Sequence, residues 1–213
     1  MNSLKRIIAA AAVFAAVVLT AGKASALVLL SDGFETETTF SWQPAFMNFN
    51  NWDVTSGTVD IISEWSYWNW FPGYGYYVDL DGSSYKAGTL TSKTNFSLTP
   101  GVYTLSFDLA GSQRKIPSTD TVTVSLGSVF SQTYTLPSTA PMSTYSYSIT
   151  VTSPTTGHIS FSHAGGDNVG IILDNVLFEK MAASVPEPST LLLTASAAAG
   201  WLFARRRHGG SPL

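Results

Sequence analysis

The sequence predicts an all-β protein: a single jelly-roll β-sandwich, flanked by an N-terminal signal peptide and a short C-terminal transmembrane helix. Three observations carry this. Between Leu27 and Lys180, short runs of Val, Thr, Tyr, Phe and Ile alternate with clusters of Gly, Pro, Asn and Ser, and no helical period appears. At the front, two positive charges precede an apolar run that ends in small residues. Near the end, a second apolar run stops at three consecutive arginines.

Composition narrows the function classes. The 213 residues are 12% charged, about half the usual ~25%, and 13% aromatic. That excludes a coiled coil, a charge-rich disordered chain and a nucleic-acid binder built on basic surface. The net charge of −3 is unevenly spread. From Leu27 to Ser184, five basic residues (Lys86, Lys93, Arg114, Lys115, Lys180) face thirteen acidic ones, a net charge of −8. Such a surface repels phosphate backbones and suits neutral ligands or cations. With no cysteine, disulfides, thiol catalysis and Cys-ligated zinc are excluded.

Residues 1–26 read as a secretory signal. Lys5 and Arg6 form the positive start, Ile7 to Leu19 is unbroken apolar sequence, and Ala24-Ser25-Ala26 offers a peptidase site with cleavage after Ala26. The exported domain then occupies residues 27–180 and must hold together by core packing, helped at most by a bound ion. Its clearest strand is Gly101 to Leu109, which sets Tyr103, Leu105, Phe107 and Leu109 on one face and Val102, Thr104, Ser106 and Asp108 on the other. Thr121 to Leu126 repeats the pattern with Val122, Val124 and Leu126 inward. Further strands are expected at Thr58–Ile62, Tyr76–Leu80, Tyr145–Val151, His158–Phe161 and Ile171–Phe178, about eight in all. Turns are expected at Asp81-Gly82, Pro100-Gly101, Thr156-Gly157 and Gly165-Gly166.

Inside this domain Trp65 to Tyr77 places eight aromatic rings in thirteen residues. Pro72 and the spaced Gly73 and Gly75 argue against a strand, so Tyr67 to Tyr74 reads as a loop. Trp65, Tyr67, Trp68, Trp70 and Tyr74 are the candidate glycan-binding residues, because indole and phenol rings offer flat apolar faces to the C–H face of a sugar and a polar tip beside it. The same rings could instead fold back over the open edge of the sandwich as a satellite core. Trp52 is assigned to the main core.

Residues 181–184 form a linker. Val185-Pro186-Glu187-Pro188 follows, a strip that the two prolines keep extended. A helix over residues 189–204 would rise roughly 24 Å at ~1.5 Å per residue, short of the ~30 Å hydrocarbon core. Arg205, Arg206 and Arg207 then fit the cytoplasmic side of a membrane, and residues 209–213 are a short tail.

Val-Pro-Glu-Pro, a short Ala- and Leu-rich helix and a terminal Arg cluster together resemble the PEP-CTERM sorting signal of Gram-negative bacteria, over residues 185–208. The resemblance implies processing by exosortase, a membrane cysteine transpeptidase found in bacteria that make exopolysaccharide. It makes the chain a substrate of that enzyme: an inner-membrane intermediate first, then a cell-surface or extracellular-matrix protein. Val185, Pro186, Glu187, Pro188 and Arg205 to Arg207 are the sorting residues. The order of Leu30-Ser31-Asp32-Gly33-Phe34-Glu35, Asn51-Trp52-Asp53-Val54 and Ile172-Leu173-Asp174-Asn175-Val176 resembles carbohydrate-binding modules and their galactose-binding-like relatives. That second resemblance implies a structural calcium ion on Glu35 and Asp174 with Asp32 as a helper; the alternative is that these are capping or edge-strand residues. Asp79 and Asp81 read as a strand end and turn, without EF-hand spacing.

No catalytic motif emerges. His158 and His163 belong to no nucleophile or zinc-protease signature, and there is no phosphate loop. The expectation is a non-enzymatic exported protein whose sandwich binds a glycan or exopolysaccharide. The alternative is a purely structural matrix protein without a glycan ligand. No nucleic acid is expected as a partner.

Overall fold

The computed structural model describes residues 25–114 and 118–182. The body of the expected signal peptide, the sorting residues Val185 to Pro188 and Arg205 to Arg207, and the helix expected over 189–204 lie outside the described residues. No helix among the described residues is long and apolar enough to cross a membrane.

The described strands are β1 (Leu27–Asp32), β2 (Trp42–Gln43), β3 (Trp52–Ser56), β4 (Asp60–Ser63), β5 (Tyr76–Asp79), β6 (Thr89–Ser92), β7 (Phe96–Leu98), β8 (Gly101–Ala110), β9 (Thr119–Leu126), β10 (Phe130–Pro137), β11 (Ser143–Val151), β12 (Thr155–Gly157), β13 (Ile159–Ala164) and β14 (Ile172–Lys180). They build a β-sandwich. The larger, seven-stranded sheet runs β11-β8-β14-β5-β4-β2, with β1 also on β14. The facing five-stranded sheet runs β10-β9-β13-β6-β3, and β12 with β7 forms a small ribbon. Ala26–Ala182 is a compact unit that contains every buried residue described, so it carries its own core.

Period-two alternation explains that core. β8 turns Tyr103, Leu105, Phe107 and Leu109 inward, β9 turns Val122, Val124 and Leu126 inward, and all seven are buried. Between the sheets Trp52 is fully enclosed, its ring 5.7 Å from that of Phe161 and 6.3 Å from that of Phe34. Its indole Nε1 donates to Asp32 Oδ2 at 2.7 Å. β14 lies at the centre of the large sheet. One edge pairs with β8; the other pairs with β5 through Ile172 and Leu173, then with β1 from Val176 onward. The exchange of partner falls at a bulge between Asp174 and Leu177, where Asn175 takes a positive φ of 50°.

The strands differ from expectation in places. β4 begins at Asp60 rather than Thr58, and β13 runs from Ile159 to Ala164. Thr156-Gly157, expected as a turn, pairs instead with Ser97 and Phe96 as part of β12. β6 and β10 were not expected, because Thr89–Ser92 and Phe130–Pro137 carry few apolar residues; their other face is hydroxylated and solvent-facing.

Trp52→Ala should remove about 3–5 kcal/mol of stability, since a large core side chain disappears and its cavity cannot refill. Urea unfolding of residues 26–182 measures it; a loss below about 1 kcal/mol would remove Trp52 from the core.

Candidate functional site

The aromatic segment is the connection between β4 and β5, and hydrogen bonds hold it in one shape. Successive turns are closed by Ser66 N to Ser63 O (3.0 Å), Asn69 N to Ser66 O (3.1 Å) and Tyr74 N to Phe71 O (3.3 Å). Asn69 acts as an internal strut. Its Nδ2 donates to Glu64 O at 2.8 Å, and its Oδ1 accepts from Phe71 N at 2.8 Å and from the Tyr77 hydroxyl at 3.3 Å. The same hydroxyl accepts from Trp70 N at 2.9 Å, and burial pushes its pKa up to about 12. Gly73 and Gly75 take φ of 87° and 66°. At Gly75 any Cβ would collide with the Glu35 carboxylate, whose Oε1 accepts from Tyr76 N at 3.1 Å.

This shape divides the rings. Phe71 and Tyr77 pack on the outer face of the large sheet with Ile62, Ala110 and Ile172, and with Trp70 and Met142 partly buried beside them; Tyr76 joins the main core. Trp65 (69% exposed), Tyr67 (91%), Trp68 (46%) and Tyr74 (40%) face solvent. The segment is therefore packed in one part and exposed in the other.

Trp68 and Trp70 also wall a cleft of about 280 Å³, together with Trp42 of β2, Ile62, Asp60, Ser83, Arg114 and Asn168. Of the five residues expected to bind glycan, these two line the cleft and Trp65, Tyr67 and Tyr74 do not. Its polar groups are positioned from below. Asp60 Oδ1 accepts from Ala45 N and Ser83 N, both at 2.9 Å. Arg114 pairs with buried Asp79 at 3.2 Å and donates through Nη1 to the Asn168 carbonyl. Asn168 Oδ1 is buried without a hydrogen-bond partner among the described residues. A buried acceptor left unpaired is costly. Sequence reasoning missed Trp42, Asp60, Ser83, Arg114 and Asn168. They come from separate segments, and nothing in their local spacing marks them.

The residues expected to hold calcium sit where β1 ends and β14 bulges. Asp32 is already engaged: Oδ1 accepts from Phe34 N (2.8 Å), and Oδ2 from Trp52 Nε1 (2.7 Å) and Asn51 Nδ2 (3.1 Å). Asp174 is buried and accepts from Asn175 N at 2.7 Å. Burial, followed by the nearby charges of Asp108, Glu35 and Asp32, pushes the Asp174 carboxyl up to about 8. A crowd of carboxylates is the donor chemistry that calcium takes. Among the described residues, however, no three are already drawn together as a metal site.

Both histidines of the domain serve the fold. Buried His163 accepts from Ile171 N through Nε2 at 3.2 Å, and burial lowers its pKa. His158 Nδ1 lies 2.7 Å from Ser92 O. Asp79 ends β5, as expected of a strand end. Its carboxyl is pushed up to about 7 by burial first, with Asp60 and Asp81 adding to the rise and Arg114 opposing it.

Residues 184–207 match the PEP-CTERM protein-sorting motif. No curated protein matches the chain. Among solved structures, the chain is similar to a two-module CBM22-1–GH10 portion of endo-1,4-β-D-xylanase 10B from Clostridium thermocellum, solved with xylohexaose: 16% identity, TM-score 0.43, over 76% of this chain and 30% of that one. The chain thus spans less than a third of that structure. It is also similar to the CBM22-1 xylan-binding domain of a Paenibacillus barcinonensis xylanase (14% identity, TM-score 0.39, 76% and 100% covered). A third is a cleaved adhesin domain of Lys-gingipain from Porphyromonas gingivalis (19% identity, TM-score 0.40, 71% and 98% covered).

The buried carboxyls set a pH dependence. A carboxyl whose pKa is higher in the fold than the 3.8 of a free Asp holds its proton more tightly when folded. Its contribution is intact below that value and is lost as pH climbs through about 7 for Asp79 and about 8 for Asp174. In EDTA, the melting temperature of residues 26–182 should fall between about pH 5 and about pH 9, and Asp174→Asn should flatten the upper part of the fall. A melting temperature without that fall would mean that both groups are already ionised in the fold.

Proposed function

We propose that this chain is an exported envelope or extracellular-matrix protein, sorted by exosortase through its C-terminal signal, whose sandwich binds a neutral glycan in the Trp42–Trp68–Trp70 cleft. The PEP-CTERM motif at residues 184–207 supports the sorting half. The observation that carries the glycan half is the cleft itself. Three indoles offer flat apolar walls for sugar C–H faces, while Asp60, Ser83 and Arg114 line the cleft with polar groups for hydroxyls. The loop holding Trp68 and Trp70 is internally hydrogen-bonded, so little ordering cost attends binding. A net charge of −8 across Leu27–Ser184 favours neutral over acidic polysaccharides. Calcium completes the reading as a structural ion on Glu35 and Asp174: it would neutralise the crowded carboxylates and tie the turn after β1 to β14 in a chain without disulfides.

The alternative is a matrix protein with no glycan ligand, favoured by the burial of Phe71, Tyr76 and Tyr77, which gives the aromatic segment a packing role. Catalysis forms no part of either reading.

Titration of residues 26–182 with purified neutral polysaccharides, including the producing cell's own, separates the two. Saturable binding that Trp42→Ala and Trp68→Ala each weaken about tenfold or more, ~1.4 kcal/mol, with melting unchanged, supports the glycan reading. Consistent absence of binding leaves the structural one. For sorting, the intact mass of the mature protein should end near Pro188 only in cells with an active exosortase; a chain ending at Leu213 in both strains would overturn it.

A further inference from the structure

The sandwich guards the outer strands of one side and leaves those of the other open. On the guarded side β2 is only two residues long, β1 is broken by a bulge between Val28 and Leu30, and β3 carries the charge of Asp53 and a register break between Val54 and Ser56. Short strands, charges and bulges are the devices that stop an edge from recruiting another strand. On the opposite side none is present. β11 pairs with β8 over nine residues and β10 with β9 over eight, both without a register break. Among the described residues, both strands end their sheets. From Thr121 through Gly157 the sequence contains no Asp, Glu, Lys, Arg or His.

β11 is the more fully prepared of the two. Thr144, Ser146, Ser148 and Thr150 face solvent. Tyr145 and Tyr147 point inward but remain half-buried, stacked 6.1 and 6.5 Å from Phe107, with Tyr145 edge-on to Tyr134 at 4.6 Å. The outer backbone groups of β11 therefore run alongside two aromatic rings that a neighbouring strand would cover.

We propose that β11 is a homotypic docking edge: a second copy of this chain lays its own β11 antiparallel against it, joining two seven-stranded sheets into one. Charge selects the second copy as occupant. In a two-fold interface each group near the axis meets its own duplicate, so any charge there faces a like charge. With a domain net charge of −8, most of the surface opposes self-contact, whereas the β11 edge is neutral throughout. Parity agrees as well. A two-fold perpendicular to the sheet keeps the hydroxyl row on the outer face of both copies and the Tyr145–Tyr147 row on the inner face. Nine-residue strands span about 30 Å and would add about eight backbone hydrogen bonds.

Sedimentation velocity of residues 26–182 across a concentration series tests this. The wild-type domain should show reversible dimers, and the Ser146→Lys/Ser148→Lys double variant should weaken association at least tenfold with unchanged circular dichroism and melting. A wild-type domain that stays monomeric up to its solubility limit, or dimers indifferent to the two lysines, would overturn the proposal. Should the double variant fail to fold, Ser146→Cys and Thr55→Cys, each the sole thiol of its chain, are treated with a bismaleimide. Cross-linked dimers at Ser146→Cys alone support the β11 edge; equal cross-linking at both positions, or none, overturns it.

Discussion

A single carboxylate ties the two sheets to each other, and the remainder of the architecture hangs on it. Asp32 closes β1 in the large sheet, and it accepts from the indole of Trp52, which opens β3 in the facing sheet, and from the side chain of Asn51 beside it. The third donor, Phe34 N, turns the chain sharply after β1. Phe34 takes a positive φ of 61°, an uncommon conformation for a bulky residue, and is completely buried against Trp52 and Phe49. Hydrogen bonds to a buried charged group are among the stronger ones, and the indole N–H has no water to turn to. Without disulfides, this polar knot and the ring packing around it hold the strands of opposite sheets in register.

Much of the fold could be read from the chain because one face of each long strand is buried. β8 and β9 repeat apolar residues at every second position, and that period is a direct trace of a core on one side. Where burial is slight the trace fades. β6 and β10 present hydroxyl rows to solvent, and Thr91 and Thr133 look in sequence like turn residues although they pair across strands. The bulge in β14 was invisible as well, since its cause is a change of pairing partner rather than a residue type.

The site was legible only where its members cluster along the chain. Trp68 and Trp70 announced themselves within the aromatic segment. Trp42 did not, because it reaches the cleft through the pairing of β2 with β4. Arg114 and Asn168 meet across 54 positions through a bond to a backbone carbonyl, which leaves no residue pattern to find. Asp32 shows the converse: the residue type was noticed, but the partner that determines its role, the Trp52 indole, is visible only in three dimensions.

The loop between β4 and β5 separates what shapes it from what it displays. Asn69, Glu64, the Tyr77 hydroxyl and the two left-handed glycines fix its course, while the rings of Trp65, Tyr67 and Tyr74 stay exposed and make only edge-on contacts with Tyr76, Trp68 and Phe71. Such an arrangement gives the surface its own freedom to diverge. Substitutions at the displayed positions can accumulate and change the chemistry the domain presents while the scaffold goes on folding as before. Selection on Gly75 is of another kind, because a side chain there displaces Glu35 and with it the anchoring of β5.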